Sequence, residues 1–246
     1  MGTEVFPISL SVDRCYVIRD EGAIMVDGGL PRQEKAFLSK LSKTPVRPEE
    51  IRLIVLTHGH FDHAGSAQAI SDMTGASIAA HRLDVDVAEG RVAGLPTPQT
   101  PWARAMMGIL GPVIRGKIGR TSARVDVVVG DQGLSLSEYG VRGRILHTPG
   151  HTAGSLSVLL DNGDAFVGCM SHSGPPFRLK PDLPIFADYP DQLRQSWDML
   201  LRLGARRIYP GHGDPFPAEA ISRSLRSGSW GKTTRTQNAG TRIIAR

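Results

Sequence analysis

The sequence predicts an α/β fold of the α+β type, in which two β-sheets pack against each other and helices cover their outer faces. Apolar, β-branched runs typical of strands fall into two groups, one in the first third of the chain and one after residue 125, with helical segments between them. The chain has 246 residues, of which 40% are hydrophobic and 22% are charged, enough for a sizeable core. Because sheets and helices bury such runs in layers, we expect one domain over residues 1–228.

The first group of runs predicts a sheet with helices beside it. Its strands are short and apolar, and Asp27-Gly28-Gly29 and Pro31 are turn signals at the start of a helix. The predicted strands are 5–10, 15–19, 23–26, 51–56 and 76–80, and the predicted helices are 32–41, 65–73 and 82–89.

Residues 90–125 interrupt the strand pattern and predict a helical insertion. Four prolines surround an apolar stripe that includes Trp102 and Met106. We expect this segment to form a wall of the substrate pocket, with Trp102 and Met106 as candidate substrate contacts, because segments that connect fixed sheets carry much of the variation at a site. In the alternative, the stripe packs on the body of the protein or on a second copy of the chain, as in a homodimer.

The second group of runs predicts a second sheet. The segment Asp161-Asn162-Gly163-Asp164 is a hairpin turn signal between two of its strands. The predicted strands are 125–129, 134–136, 141–147, 155–160, 165–168 and 206–209, and the predicted helices are 191–203 and a last one from about residue 217.

The net charge of +5 is concentrated in two segments. Residues 220–246 contain six basic residues and no acidic one, and so do residues 90–125. We expect residues 229–246 to be a basic, solvated C-terminal tail. The basic insertion favours substrates with negative charge. Nothing in the sequence resembles a dedicated nucleic-acid module, so we expect the substrate to be a small molecule.

The sequence has no features of export or of membrane insertion. It contains no run of eighteen apolar residues, and its N-terminus lacks the basic and apolar regions of a secretory signal. The two cysteines, Cys15 and Cys169, are far apart in strand-like runs and offer no disulfide framework. We therefore expect a soluble, cytoplasmic protein.

The most informative segment is Thr57-His58-Gly59-His60-Phe61-Asp62-His63-Ala64-Gly65, which follows the predicted strand 51–56. Four groups that bind transition metals lie within six positions of it. Imidazole and carboxylate ligands suit zinc and its borderline neighbours, and a loop at the end of a strand can direct alternate side chains toward one point. The segment predicts a metal site.

Further ligand types follow other predicted strands. His151 lies in the Gly- and Pro-containing loop 147–155, His212 lies in Pro210-Gly211-His212-Gly213, and Cys169 ends the strand 165–168. The chain has only eight histidines, so their concentration at strand ends predicts a metal cluster at one edge of the paired sheets.

These residues resemble the metallo-β-lactamase superfamily of metal-dependent hydrolases, whose signature His-x-His-x-Asp-His corresponds to residues 58–63. The resemblance extends from Asp27 to residue 213 and implies an αββα four-layer sandwich with the metals at one edge. It implies that His58, His60 and His151 bind the first metal and that Asp62, His63 and His212 bind the second. Asp27 matches an aspartate of the family that hydrogen-bonds a ligand histidine from outside.

Cys169 departs from the family pattern, which usually has an aspartate bridging both metals at this position. Some true metallo-β-lactamases have a cysteine ligand here, but they usually lack the histidine that this chain has at position 63. If Cys169 ligates, the second metal has four protein ligands, namely Asp62, His63, Cys169 and His212, and the first keeps an open position. In the alternative, Cys169 is an ordinary buried thiol, so we expect one or two zinc ions per chain.

The expected reaction is hydrolysis by a metal-bound hydroxide. Zinc held by neutral imidazoles lowers the pKa of bound water to ~7, and Asp62 is placed to orient the resulting nucleophile. His172 is a candidate proton donor near the substrate, with a structural role as the alternative, and His81 and His147 are interpreted as structural hydrogen-bonding residues. We expect a hydrolase of an ester, a lactone or a thioester. A β-lactam hydrolase and a non-catalytic, metal-binding sensor are the alternatives.

Overall fold

The structure is a computed structural model that describes residues 2–95, 97–117 and 123–227. The predicted basic tail at 229–246 lies outside the described residues, and so do positions 96 and 118–122 of the predicted insertion.

The first sheet has six strands that are hydrogen-bonded in chain order. They are β1 (Glu4–Leu10), β2 (Asp13–Arg19), β3 (Ala23–Val26), β4 (Ile51–Val55), β5 (Ser77–His81) and β6 (Val127–Val129). The first three strands are antiparallel, and β3 to β6 are parallel. The carboxyl ends of the parallel strands therefore meet at one edge of the sheet.

The second sheet also has six strands in chain order, and it is antiparallel except for one parallel pair, β10 and β11. Its strands are β7 (Leu134–Ser135), β8 (Gly143–His147), β9 (Leu156–Leu160), β10 (Asp164–Ser173), β11 (Arg207–Gly213) and β12 (Phe216–Pro217).

Seven α-helices connect these strands within the described residues. They are α1 (Glu34–Leu41), α2 (Phe61–Ala64), α3 (Ala67–Thr74), α4 (Val85–Ala88), α5 (Pro101–Lys117), α6 (Pro190–Arg202) and α7 (Glu219–Ser227). Among these helices, none combines the length and the apolar composition that crossing a bilayer would require.

The core lies in three layers, because alternate residues of each strand point to opposite faces of its sheet. On β2, Val17 packs toward the helices, whereas Tyr16 and Ile18 pack between the two sheets. On the other side, Leu193 and Trp197 of α6 are fully buried against the second sheet. The predicted α/β fold with two packed sheets and outer helices is confirmed.

Two strands are longer than predicted, and the extension places site residues inside the sheet. β10 was predicted to end at residue 168 and β11 at residue 209, but their parallel pairing continues to Ser173 and Gly213 across two irregularities in register. One irregularity lies at Gly168, whose φ is +51°. A Cβ there would lie 2.2 Å from Thr57 Oγ1, so glycine alone fits. His212 therefore lies within β11, so the prediction that it lies in a loop is wrong, and Cys169 lies inside β10 rather than at its end.

The second half of the His-rich segment is also helical rather than a loop. α2 begins after His60, whose backbone is extended, and it carries Asp62 and His63. The backbone N–H groups of His63 and Ala64 donate to the carbonyl of His60 and close this single turn. One turn of helix brings residues three or four positions apart onto the same side, which lets His63 approach His60 and His58 from a short segment.

Candidate metal centre

The structure brings all six predicted histidine and aspartate ligands, together with Cys169, to the edge where β3 and β4 end. Ring nitrogens face one another closely: His60 Nδ1 is 3.2 Å from His151 Nε2, and His63 Nε2 is 3.3 Å from His212 Nε2. Cys169 Sγ lies 3.2 Å from His63 Nε2. The donor atoms of three residue groups each lie within 4.8 Å of one another; these groups are His58–His151–Cys169, His63–Cys169–His212 and His58–His60–Asp62.

Outer hydrogen bonds orient the rings of two ligand histidines. His151 Nδ1 lies 3.1 Å from the carbonyl oxygen of Phe186, and His212 Nδ1 lies 3.0 Å from that of Val12. A carbonyl can only accept, so each Nδ1 carries a proton and each Nε2 points toward the cluster. Both rings are thus oriented to bind a metal through Nε2.

Asp27 orients two more ligand rings. Its carboxylate accepts from His63 Nδ1 at 2.8 Å and from the backbone N–H of Thr57 at 2.8 Å. The hydroxyl of Thr57 also donates to Asp27 at 2.9 Å and therefore accepts from His58 Nδ1, 3.1 Å away. The sequence predicted contact from Asp27 to ligand histidines, and the structure places it directly on His63 and, through Thr57, on His58.

The residues fit a bound metal at the first position. His58 Nε2 is buried, its lone pair faces the cluster, and it has no hydrogen-bond partner among the described residues. Leaving such a nitrogen unpaired costs about 1–3 kcal/mol, which a metal bond offsets. Burial lowers the pKa of His58, His60 and His151, so these rings are neutral, and neutral imidazole is the form that binds zinc.

The candidate ligands of the second metal, Asp62, His63, Cys169 and His212, carry more negative charge than the three histidines of the first. Burial opposes a charge on His212, yet the Cys169 thiolate and the carboxylate of Asp62 raise its pKa to about 10. Burial likewise opposes ionisation of Cys169, but the neighbouring His63 and His212 lower the pKa of its thiol. The thiolate is the form of cysteine that binds metals, so this environment prepares Cys169 for ligation.

Cys169 lies between the two halves of the cluster. It belongs to one group of neighbouring donor atoms with His58 and His151 and to another with His63 and His212. Its side chain is therefore within reach of both halves of the cluster. Cys169 directly follows the irregularity in register at Gly168.

Replacing Cys169 by serine is therefore expected to lower occupancy of the second site and to spare the first. Zinc per chain should fall toward one, and X-ray absorption should lose a sulfur scatterer at about 2.3 Å. Cys169→Asp supplies the commoner carboxylate and should keep both metals. Cys15→Ser is the matched control, because Cys15 is buried in the helix-side core of the first sheet. Unchanged zinc content and no sulfur signal in the wild type would make the thiol a bystander.

The sequence did not identify Asp84, which ties the two halves of the first ligand set together. This carboxylate is only 4% exposed. It accepts from the N–H of Gly59 at 3.0 Å, from the hydroxyl of Thr152 at 2.8 Å and from the N–H of Gly154 at 3.2 Å. It thus joins the loop of His58 and His60 to the loop of His151. The available signal was an aspartate within the predicted helix 82–89, two residues before Asp86, and such a residue by itself indicates no partner.

The candidate substrate residues lie around the cluster rather than in it. His172 is buried, with its ring centroid 5.6 Å from that of His212, and it belongs to none of the groups of neighbouring donor atoms in the described part of the chain. Met106 packs in a small cluster with Ile185 and Phe186. Trp102 donates from Nε1 to the carbonyl of Pro176 at 3.1 Å, and 55% of its surface is exposed.

The insertion is helical, as predicted, over α5, and it contacts a segment that supports a ligand. Phe186, against which α5 packs, is the residue whose carbonyl accepts from His151. The cationic excess of the segment is smaller than its composition indicated. Arg91 pairs with Asp86 and Glu89, and Arg124 pairs with Asp126. These acidic residues lie just outside positions 90–125, so the composition of the segment did not include them. Arg104 is exposed, and the side chains of Arg115, Lys117 and Arg120 are outside the described set.

Comparisons with known proteins agree with the fold described above. The family model described as "Metallo-beta-lactamase superfamily" matches residues 13–212. "Probable metallo-hydrolase YflN" of Bacillus subtilis is 21% identical over 82% of this chain and 79% of its own. An uncharacterised protein of Mycobacterium tuberculosis is 30% identical over 61% of this chain and 62% of its own. The crystal structure of the archaeal metallo-beta-lactamase superfamily protein ST1585 from Sulfolobus tokodaii has a TM-score of 0.62 and 17% identity, covering 98% of this chain and 91% of that chain.

Proposed function

The chain belongs to the metallo-beta-lactamase superfamily of metal-dependent hydrolases, and we propose that it uses zinc to hydrolyse an ester, a lactone or a thioester. The observation that carries this proposal is the Nε2 of His58, which is buried beside His60 and His151 and has no hydrogen-bond partner among the described residues. If these three neutral imidazoles hold a zinc ion, they would leave a position for substrate and water, as in catalytic rather than structural sites.

His58, His60 and His151 would hold the first ion, and Asp62, His63, Cys169 and His212 would hold a second. Zinc supplies a Lewis acid that polarises the carbonyl under attack and activates water near neutral pH. Asp62 contributes a carboxylate that is 23% exposed and 3.4 Å from His212 Nε2. Since it borders both the ligands and the open face, it is placed to accept a hydrogen bond from the attacking water and to orient it.

The substrate class is inferred from α5 and from Ile185 and Phe186, which pack against it. Trp102, Ile109 and Leu110 are exposed on this helix, and Met106 is partly buried beside Phe186. An apolar surface that includes methionine adapts to varied acyl groups, and the exposed Arg104 favours negative charge on the substrate. We expect amphiphilic carboxylic esters, lactones or thioesters to be better substrates than small, uncharged polar ones.

A substrate panel tests the proposal. Enzyme stripped with chelator should be inactive on chromogenic esters, lactones and thioesters, and zinc should restore hydrolysis of at least one class. A phosphodiester and a cephalosporin complete the panel. Fully zinc-loaded protein that turns over none of the five would overturn the proposal and favour a metal-binding sensor, whereas turnover confined to the phosphodiester would assign a different hydrolase class.

β-Lactam hydrolysis is the second candidate, because Cys169 resembles the cysteine ligand of some metallo-β-lactamases. Turnover of the cephalosporin in the panel distinguishes β-lactam hydrolysis from hydrolysis of esters, lactones and thioesters. A kcat/KM for the cephalosporin that exceeds the values for all esters and thioesters would favour this alternative.

A further inference from the structure

Large apolar side chains are exposed on α5 and on the loop 174–181 beside it. Ile109 is 76% exposed and Leu179 is 91% exposed, and Trp102 and Leu110 are exposed as well. We call these four side chains the α5 face. The indole N–H of Trp102 donates to the carbonyl of Pro176 and ties the helix to the loop. Single exposed hydrophobic residues are ordinary, but several large ones on two adjoining segments indicate an interaction surface.

The packing of α5 on the body of the protein uses only one of its two apolar sides. Ala103 is fully buried and Met107 is partly buried, and both pack in the small cluster that contains Phe186. Trp102 and Ile109 are seven residues apart, close to two turns of helix, so they lie together on another side, about 10 Å apart along the axis. Because the first side already holds the helix in place, the second is left for a partner.

The charge of these two segments is entirely positive. Segments 101–117 and 174–181 contain no acidic residue and five basic ones, namely Arg104, Arg115, Lys117, Arg178 and Lys180. Arg178 pairs with Asp182 at 3.6 Å, whereas Arg104 and Lys180 are exposed and form no ion pair within the described part of the chain. Exposed apolar residues next to uncompensated basic ones are typical of surfaces that bind anionic lipid.

We propose that the α5 face docks on a bilayer that contains anionic phospholipid. Trp102, Ile109 and Leu110 would lie at the boundary between headgroups and acyl chains, and Arg104 would meet the lipid phosphates. Tryptophan suits this depth because its ring is apolar, and the N–H of Trp102 already has an acceptor within the protein.

A second copy of the chain is a poorer partner for the α5 face. In a symmetric dimer the same surface meets itself, so the basic residues of one copy would face those of the other. Neither segment supplies an acidic residue to compensate them. Charge complementarity therefore favours an anionic lipid surface over a second copy.

The α5 face adjoins the metal centre. Phe177, which follows Pro176, packs in the same cluster as Met106 and Met107, and its ring centroid is 4.6 Å from that of His212. Docking would thus place the metal centre close to the lipid surface, where amphiphilic substrates dissolve. This last step depends on the proposed hydrolysis, whereas docking itself does not.

Vesicle flotation of the full chain tests docking without measuring turnover. At about 0.1 M salt the wild type should float with vesicles of phosphatidylglycerol and phosphatidylcholine in equal parts, and raising the salt to about 0.5 M should release it. Vesicles of phosphatidylcholine alone should bind at least about tenfold less. Replacing Ile109 and Leu110 together by glutamine should lower binding to the anionic vesicles about tenfold or more. Met73→Gln, which changes an exposed apolar residue of α3, is the matched control and should bind like the wild type.

Tryptophan emission provides the second readout and does not require the double variant to fold. In a Trp230→Phe background, anionic vesicles should shift the emission of Trp102 toward the blue, because Trp197 is already fully buried. Trp102→Phe should lose the shift. Equal flotation of the wild type and a folded double variant, or flotation of neither together with no shift in emission, would overturn the proposal. If flotation is absent and sedimentation equilibrium finds a wild-type dimer that the double variant converts to monomer, the α5 face is instead covered by a second copy.

Discussion

Replacing His58 and His60 together by alanine is expected to remove the first metal and to reduce hydrolysis by about three decades or more. Two of the three neutral imidazoles of that site would be lost, and His151 alone cannot hold zinc. Without the metal, neither the polarised carbonyl nor the activated water is available. The double variant should keep its second metal, since His63, Cys169 and His212 are unchanged.

Elemental analysis and turnover of the best substrate of the panel check this expectation on the same samples. The control is wild-type protein stripped with chelator, which should match the variant in rate and, unlike the variant, recover on addition of zinc. Circular dichroism shows whether the variant is folded; if it is not, His60→Gln replaces it. A folded variant that lacks the first metal but retains full turnover would mean that the reaction does not use this site.

The convergence of the candidate ligands was predictable because the residue types that indicate them are close together in the sequence. In residues 58–63 the histidines and the aspartate are close in sequence, and a strand before them fixes where they emerge. His151 and His212 were found because the glycines and prolines beside them are turn signals, although His212 in fact lies within β11. Only three of the eight histidines, His81, His147 and His172, are outside the predicted ligand set, so few alternative ligands had to be considered.

The backbone that carries those ligands was less predictable. β10 and β11 extend through Cys169 and His212 because each strand pairs with the other beyond the glycines, and such pairing between distant segments leaves no local signal. The one-turn helix that carries Asp62 and His63 is too short to show a helical period. In both places, tertiary contacts overrode the local turn signals.

Asp84 and the contact between His81 and Asp131 show where sequence reasoning reached its limit. Asp84 accepts hydrogen bonds from the backbone N–H groups of Gly59 and Gly154, and bonds to the backbone cannot be predicted from the residue types at those positions. His81 and Asp131 are 50 positions apart and meet only because β5 and β6 are neighbours in the first sheet. Contacts of this kind follow from strand order, which the sequence did not specify.

Asp62→Asn is expected to lower turnover by about two decades or more at equal metal occupancy. Asparagine keeps the shape of the side chain but removes the negative charge that orients the attacking water. Burial works against the charge, yet His63 and His212 hold the pKa of Asp62 well below its usual range, so the carboxylate is ionised throughout the pH range of the assay. The factor by which Asp62→Asn lowers the rate should therefore be the same at pH 6 and at pH 8.

Metal content and rate must be measured together for this variant, because the lost carboxylate also weakens the second site. Zinc is titrated until elemental analysis gives the same content for the variant and the wild type, and kcat is compared there. Asp72→Asn makes the same chemical change on the exposed face of α3, where the carboxylate accepts a hydrogen bond from Gln68, and should leave both quantities unchanged. If Asp62→Asn turns over at the wild-type rate at full occupancy, the carboxylate only ligates, and orientation of the water must come from another group, with His172 beside His212 as the next residue to replace.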